Sequence, residues 1–385
     1  MENRKIKVLH IIKDDKFFDG VINAFESDER FENKSILFVN SPDYEFFRIK
    51  QTEKVELLWT KKMLKECLQS SDYDVIFFHS LNIDKYEYFK YIPTEKIVIW
   101  WCWGFELYSQ ARGMSQLIPI QLYKPQTKKL IESIKKSGAK RMVMNLVRDL
   151  FWRPYYESLR RKVIARIDYF QPIVPLEYQL MEKVDGFHAK EFYYPQCFTN
   201  VLSNTGSVLP ADGGILVGNS TSPNNNHLDI WNALQPYLGE HRFIVFPLNY
   251  RSDSDYADRI ANLITSDDHR IEKLRTFMPR DEYFQLINNC SYAVFGVMRQ
   301  QAMGNIRYCL KQGIKVFLYR DSLVYKYLKE WGYVVYAIED IDEHSFSTPL
   351  TSEELKQNAK ALDIGSRYVE KIRELAIDSI LKRII

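Results

Sequence analysis

Ile215-Leu-Val-Gly-Asn-Ser-Thr-Ser-Pro-Asn-Asn-Asn-His227 decides the fold of this chain. A short apolar run, Ile215 to Val217, stops at Gly218. Nine small or polar residues follow, and a helical pattern then starts at Leu228-Asp-Ile-Trp-Asn-Ala-Leu. Strand, loop and helix in that order put the loop at the carboxyl end of a strand, where open α/β sheets bind ligands. Gly218 lets the backbone approach a ligand closely, and Asn and Ser side chains can donate hydrogen bonds. The helix start adds free N–H groups and about half a positive charge. Such a loop suits a phosphate or diphosphate without being a P-loop, since no Gly-Lys-Ser/Thr follows. An Asn-rich turn that only caps a helix reads the same on this segment alone.

Outward from this loop the pattern repeats. Downstream, strands are expected at Gly214–Val217, Phe243–Pro247, Ile271–Phe277, Tyr292–Val297, Lys315–Tyr319 and Val334–Ala337, with helices between them. Gly313 is placed as the residue that ends the helix closing at Gln312. Upstream, strand-like runs are Lys7–Ile12, Ile36–Val39, Val55–Trp59, Val75–His79, Ile97–Trp101, Tyr169–Val174 and Glu191–Tyr194. Several are continuously apolar, as parallel strands buried on both faces require. Pro195 and the polar stretch Thr199–Gly214 read as a linker. The 385 residues exceed one ordinary core. The expectation is therefore residues 1–205 and 206–350 as two β/α domains facing a central cleft, with 351–385 as a helical tail that starts near Ser352.

A second ligand-type segment is Phe295-Gly-Val-Met-Arg-Gln-Gln-Ala-Met-Gly-Asn-Ile-Arg-Tyr308, where a strand again ends in a loop that opens a helix. Arg299 offers a planar fork of donors for phosphate oxygens, beside Gln300, Gln301 and Gly304; Arg307 is a weaker candidate. The bland alternative is a surface Arg paired with a carboxylate. In the first half, Trp100-Trp-Cys-Trp-Gly-Phe-Glu-Leu-Tyr108 follows a buried strand. Its aromatic faces would suit a sugar ring, and Glu106 could act as general base, or merely cap a helix. His79 and His10 end apolar runs and are further candidates, although such histidines are commonly structural.

Composition narrows the function. Net charge is only +3, which argues against general nucleic-acid binding, but residues 110–166 hold fourteen Lys/Arg against three Asp/Glu. Mixed with Phe151-Trp-Arg-Pro-Tyr-Tyr156, this stretch uses the vocabulary of a membrane-interface helix, or alternatively of a solvated basic helix pair. Five scattered cysteines with no CxxC fit a reducing compartment. No apolar run is long enough to span a bilayer, so the expected location is cytoplasmic, peripheral on the inner face of the membrane. GxGxxG, HExxH and GxSxG are absent from the chain. Asp72-Tyr-Asp74 precedes its strand instead of following it as a metal-binding DxD does, and Asp253-Ser-Asp255 and Asp340-Ile-Asp342 read as helix-start and loop carboxylates. No metal or organic cofactor is expected.

Taken in order, these segments resemble the TDP-N-acetylfucosamine:lipid II N-acetylfucosaminyltransferases, the family 56 glycosyltransferases. The Val-Gly-Asn-Ser…Asn225-x-His227 loop, Arg299-Gln-Gln301 with Gly304, and Trp103-Gly-x-Glu-Leu-Tyr108 carry the likeness. Phe77-Phe-His79, Pro247 with Tyr250, and Tyr194-Pro195 add to it, and Glu106 stands where the family pattern has Asp. The resemblance implies a GT-B fold with an N-terminal acceptor domain and a C-terminal nucleotide-sugar domain. It implies a dTDP-activated amino sugar as donor and a polyprenyl-diphosphate-linked saccharide as acceptor. Gly218, Asn219, Ser220, Asn225, His227, Tyr250, Arg299, Gln300, Gln301 and Gly304 would hold the donor. Trp103, Gly104 and Tyr108 would face the acceptor, and Glu106, His79 or His10 would serve catalysis. The competing readings are a GT-B transferase using another nucleotide sugar with a capsule or lipopolysaccharide acceptor, and a non-catalytic glycan- or lipid-binding module on this scaffold.

Overall fold

The computed structural model describes residues 4–134, 148–195, 207–239, 241–249, 254–268, 270–276 and 278–385. It contains two parallel sheets. The first runs β3-β2-β1-β4-β5-β6-β7, made of β1 (Ile6–Ile11), β2 (Phe31–Phe38), β3 (Val55–Leu58), β4 (Val75–His79), β5 (Ile97–Trp101), β6 (Tyr169–Gln171) and β7 (Lys190–Glu191). The second runs β10-β9-β8-β11-β12-β13, made of β8 (Gly214–Val217), β9 (Phe243–Pro247), β10 (Arg270–Leu274), β11 (Cys290–Phe295), β12 (Lys315–Leu318) and β13 (Tyr336–Ala337).

The apolar runs explain which strands are central. Every residue of β4, β5, β8, β11 and β12 is buried, whereas the edge strands β3 and β10 mix exposed and buried positions. Strands buried on both faces must be apolar throughout, because helices cover each side of a parallel sheet. In each sheet the strand order reverses once, between β1 and β4 and between β8 and β11. At such a reversal the connections leave in opposite directions, and a crevice opens beyond the carboxyl ends of the strands. This feature of the fold positions both candidate sites.

The chain forms two compact units, residues 1–119 with 140–200 and 367–385, and residues 120–139 with 201–366. Two of the expected boundaries differ from this division. The helix Pro125–Ile134 belongs to the second unit, because Leu130, Ile131 and Ile134 pack on the core of that unit around Ile230, Trp231 and Ile260. The C-terminal stretch is one helix, Ser352–Ile384, shared between the units. Its first half fixes Val334 through Asn358 (2.7 Å), and its second half pairs Glu374 with Arg30 (2.7 Å). The helix starts at Ser352, as its sequence indicates, and Thr351 before it is the capping residue. Thr351 Oγ1 accepts from the Glu354 N–H while the Glu354 carboxylate accepts from the Thr351 N–H, a capping box.

Candidate functional site

In the second unit, β8 and β11 are hydrogen-bonded neighbours, with Val217 opposite Val294. The loops that leave their carboxyl ends therefore rise side by side. Gly218 turns the first loop with φ +72°, and a Cβ there would sit 3.1 Å from His227 Nε2 and 3.2 Å from Asn225 Oδ1. Asn225 is fully buried and its amide is spent inside the loop. It donates to the Ser220 and Ser222 carbonyls and the Ser220 hydroxyl at 3.0–3.1 Å, and accepts from the Asn219 N–H at 3.2 Å. It shapes the loop, which differs from the direct ligand contact expected for it.

The second loop meets the first. Gln301 Nε2 donates to Asn219 Oδ1 at 3.3 Å, across eighty-two positions of sequence. Arg299 is buried beside them, its guanidinium donating to the Gln300 carbonyl at 2.8 Å. His227, the first residue of the helix His227–Leu234, holds the Tyr256 hydroxyl 3.2 Å from Nδ1. Burial pushes its pKa down to about 4, so the ring is neutral. The same mouth gathers buried polar atoms without a hydrogen-bond partner among the described residues: His227 Nε2, Asn224 Oδ1, Gln300 Oε1 and Gln301 Oε1. Unpaired buried polar groups cost about 1–3 kcal/mol each, and here they leave bonding capacity that a polar ligand could take up. The helix Met303–Gln312 opens here too, after Ala302 in the left-handed region (φ +60°). Gly304 lies exposed in its first turn, with no atom within 4 Å of where a Cβ would be. Tyr250 lies outside the described residues.

Three residues that support this mouth are not legible as such in the sequence. Asn226 adopts φ +52°, ψ +43°, which Asn tolerates better than most residues, and ties the loop to the end of β11 by donating to the Gly296 carbonyl (2.7 Å). It also accepts from the Lys124 N–H at 2.8 Å. Gly296 must be glycine, since a Cβ would fall 2.2 Å from the Asn225 carbonyl oxygen. Tyr256 sets the His227 ring from another helix. The signals were an Asn triplet and a strand-end Gly, but their partners are remote in sequence.

In the first unit the mouth at the reversal between β1 and β4 holds His79, the last residue of β4. Trp103 stacks between Phe17 (4.9 Å) and Trp101 (4.6 Å), giving an aromatic platform beside it. Gly104 turns with φ +86° and starts the helical turn Phe105–Tyr108. Lys85 is buried, its ammonium holding the Ser80 carbonyl at 3.0 Å, and burial lowers its pKa to about 7.

Three expected roles change here. Glu106 is buried, and its carboxylate accepts from the backbone N–H of Leu81 (3.2 Å) and Trp103 (3.1 Å). It fastens the loop after β4 to the loop after β5; neither N–H belongs to the helical turn Phe105–Tyr108, so this is a loop fastening, neither a helix cap nor a free base. Burial raises its pKa, and these N–H bonds oppose the rise. His10 does not face the mouth. It sits inside the sheet against Phe25 and Phe77, with Nδ1 2.9 Å from His79 Nε2 and Nε2 3.0 Å from Asn33 Oδ1. Both its nitrogens are engaged, so it cannot take a substrate proton. Tyr108 is buried and donates to Glu177 at 2.7 Å, which makes it a core fastening and not an acceptor contact. Among the described residues no group of three or more His, Cys, Asp or Glu side chains could hold a metal ion.

Solved structures share this fold. Among solved structures, the Anabaena HepE protein in complex with UDP and glucose is similar over 97% of this chain and 99% of its own, with 12% identity and a TM-score of 0.57. A glycosyltransferase from Rickettsia africae matches over 99% of both chains, at 12% identity and a TM-score of 0.56. An E. coli trehalose-6-phosphate protein bound with UDP-2-fluoro glucose matches over 97% and 99%, at 10% identity and 0.56. At such identities these likenesses speak for the fold, which is GT-B. The family model of the 4-alpha-L-fucosyltransferases, glycosyl transferase group 56, matches residues 142–357, more than half of the chain and the whole of the loops after β8 and β11. With two parallel-sheet units, paired loops at a strand-order reversal and that match, this chain belongs to glycosyl transferase group 56 and is a glycosyltransferase of the GT-B fold.

Proposed function

We propose that this enzyme moves an amino-deoxy sugar, N-acetylfucosamine-like, from a dTDP-sugar to a saccharide carried on a polyprenyl diphosphate at an anionic membrane surface. The observation that carries the donor half is the Gln301–Asn219 hydrogen bond. It brings the two loops together where two helices begin, so that one diphosphate can meet both helix N-termini and Arg299. As the bond from the anomeric carbon to the diphosphate oxygen breaks, its electron pair stays on the nucleotide. Arg299 and the two helix starts stabilise that charge. The acceptor hydroxyl oxygen forms the new glycosidic bond and gives its proton to His79. That histidine is held neutral, chiefly by burial, with its pKa well below the ordinary value. The unpaired amide oxygens of Gln300 and Gln301 accept from sugar hydroxyl or N–H groups.

Arg299→Ala should lower turnover at least about tenfold, the loss of one charge-assisted contact, with an unchanged melting temperature. Wild-type turnover would remove Arg299 from this role. UDP in complexes of similar folds makes UDP-sugars the competing donor class. Thermal shifts with dTDP-, UDP- and GDP-sugars separate the two, and a preference for UDP would replace the dTDP assignment.

For the membrane, the supporting feature is an exposed turn, Leu150, Phe151, Trp152 and Tyr155, of which Phe151 is 70% exposed. Arg112 lies over the Trp152 and Tyr156 rings (5.8 and 5.9 Å), and Arg153 and Arg161 line the adjoining groove. Large apolar side chains beside arginines suit the interface of an anionic leaflet. The helix Pro125–Ile134 contributes no apolar face, since its apolar side is packed on its own unit. Residues 135–147, which include Lys135 and Lys136, lie outside the described residues. No helix among the described residues is long and apolar enough to cross a membrane. Sedimentation with anionic vesicles should be lost in a Phe151→Glu, Trp152→Glu variant; undiminished binding would refute this face.

A further inference from the structure

The first sheet contains a polar line that the mechanism above does not explain. Asn33 on β2 lies opposite Val8 on β1; two residues on from Val8 is His10. His10 lies opposite Phe77 on β4, and two residues on from Phe77 is His79. Side chains two apart on a strand share a face, so each step crosses one strand and climbs two residues toward the carboxyl edge. The three side chains touch in series, Asn33 Oδ1 to His10 Nε2 at 3.0 Å and His10 Nδ1 to His79 Nε2 at 2.9 Å. This line runs through an apolar layer of Phe25, Phe77 and Trp101 rings. A hydrophobic pair at positions 10 and 33 would pack there without any need for matched hydrogen bonds.

The chemistry of the line has a direction. An amide oxygen only accepts, so His10 Nε2 must carry the hydrogen. A neutral imidazole has one N–H, so His10 Nδ1 is a bare lone pair. It must receive a hydrogen from His79 Nε2, and the remaining nitrogen of His79, Nδ1, is therefore a lone pair as well. That nitrogen makes no hydrogen bond among the described residues. The charged groups nearest this end, Lys85, Lys13 and Glu106, come from the loops beyond β4, β1 and β5, and none is bonded to the ring.

We propose that Asn33 and His10 are positioning residues that hold His79 in the tautomer with hydrogen on Nε2, leaving Nδ1 to take the acceptor hydroxyl's proton. The inference rests on the reading of His79 as the base. It adds two residues, one of them on a strand remote from the substrate mouth. The proton passes from the hydroxyl to His79 Nδ1 as the oxygen bonds to the anomeric carbon and the nucleotide leaves. His10 and Asn33 exchange no proton; they fix which nitrogen is free. A base presenting N–H instead of a lone pair could not act.

The test is 15N NMR of the full chain labelled at histidine, with steady-state kinetics beside it. His79 Nδ1 should show the shift of an unprotonated nitrogen and Nε2 that of an N–H. Asn33→Leu should mix the two tautomers and lower kcat about 10- to 100-fold with KM unchanged for both substrates. A protonated Nδ1 in the wild type overturns the proposal even if Asn33→Leu does not fold, and so does an Asn33→Leu protein with unaltered tautomer and kcat. The base reading fails separately, if His79→Gln transfers sugar at the wild-type rate.

Discussion

Gly304→Ala separates folding from ligand binding at the donor mouth, because the two respond in opposite directions. Gly304 is in the first turn of the helix Met303–Gln312, exposed, with helical backbone and no atom within 4 Å of the Cβ position. Alanine is therefore accepted without a clash, and it removes backbone freedom from the unfolded chain. The gain is about 0.4–1 kcal/mol, or about 1–4 °C in Tm. If the donor diphosphate lies against this turn, the added methyl occupies space the ligand needs. Overpacking of this kind costs about 1–3 kcal/mol, which corresponds to a rise of about 5- to 150-fold in the Kd for the nucleotide. Calorimetric titration with dTDP and a melting curve on the same protein read both numbers. A higher Tm with unchanged nucleotide affinity refutes the assignment of Gly304 to the site. Gly218→Ala provides the contrast. With φ +72° and contacts of 3.1–3.2 Å to His227 and Asn225, it should lose stability, by about 1–3 kcal/mol, and affinity together.

Glu106→Gln should keep kcat within about threefold, because an amide oxygen can still accept from Leu81 and Trp103. Glu106→Ala leaves both N–H groups unpaired and should cost about 1–3 kcal/mol in urea unfolding. A Glu106→Gln enzyme without activity would restore Glu106 as a base. Acidification should destabilise the fold through its buried neutral histidines. His10 and His227 have folded pKa values depressed to about 4, and His79 is also well below its ordinary value. Since the unfolded value is about 6.5, their contribution is intact above that pH and is lost as pH falls toward about 4. At about pH 5.5 the loss is about 1.4 kcal/mol per histidine, and equal stability by urea unfolding at about pH 7 and 5.5 would contradict their burial. Gly296→Ala would place a Cβ 2.2 Å from the Asn225 oxygen and 2.7 Å from Ile230 Cδ1, so no folded protein is expected on expression. A soluble variant with native melting would show that this loop is packed otherwise.

How much of this was readable from sequence depends on how far apart the cooperating residues are. The strands Val75–His79, Ile97–Trp101, Gly214–Val217 and Phe243–Pro247 coincide with their expected bounds, because burial leaves them almost wholly apolar, with His79 the polar exception at the end of β4. The edge strand Arg270–Leu274 ends short of the expected bound, Phe277, which lies outside the described residues; its partly buried positions give a weaker apolar pattern than the central strands. The two loops after β8 and β11 were legible as loops because strand, glycine and helix start are consecutive in the chain. The role of Glu106 was legible only in part, since one N–H that it accepts from, Trp103, is three residues away but the other, Leu81, is on a different loop. The assignment of Pro125–Ile134 to the second unit was equally hidden. It depends on Asp229 accepting from the Gln126 and Thr127 N–H groups (2.8 Å each), about a hundred positions downstream.

The two mouths also differ in what they require of their histidines, and the fold accounts for the difference. His227 begins a helix, so its ring is aimed by a turn and braced by one hydroxyl, Tyr256. Neutral there, it adds no charge to the positive end of the helix and leaves Arg299 as the side-chain cation of the two loops. His79 ends a strand, where no helix start orients it; only the neighbouring strands can. In a parallel sheet those neighbours are fixed in register, so a side chain two residues further along the adjacent strand is always within reach. Orientation through Asn33 and His10 therefore requires no flexible loop and keeps the ring uncharged amid aromatic neighbours. A carboxylate at position 33 would introduce a charge beside this apolar layer, where desolvation is costly unless it is paired. An amide orders the same hydrogen bonds without it. That is the physical reason to look for the base of this unit on β4, and for what positions it on β1 and β2.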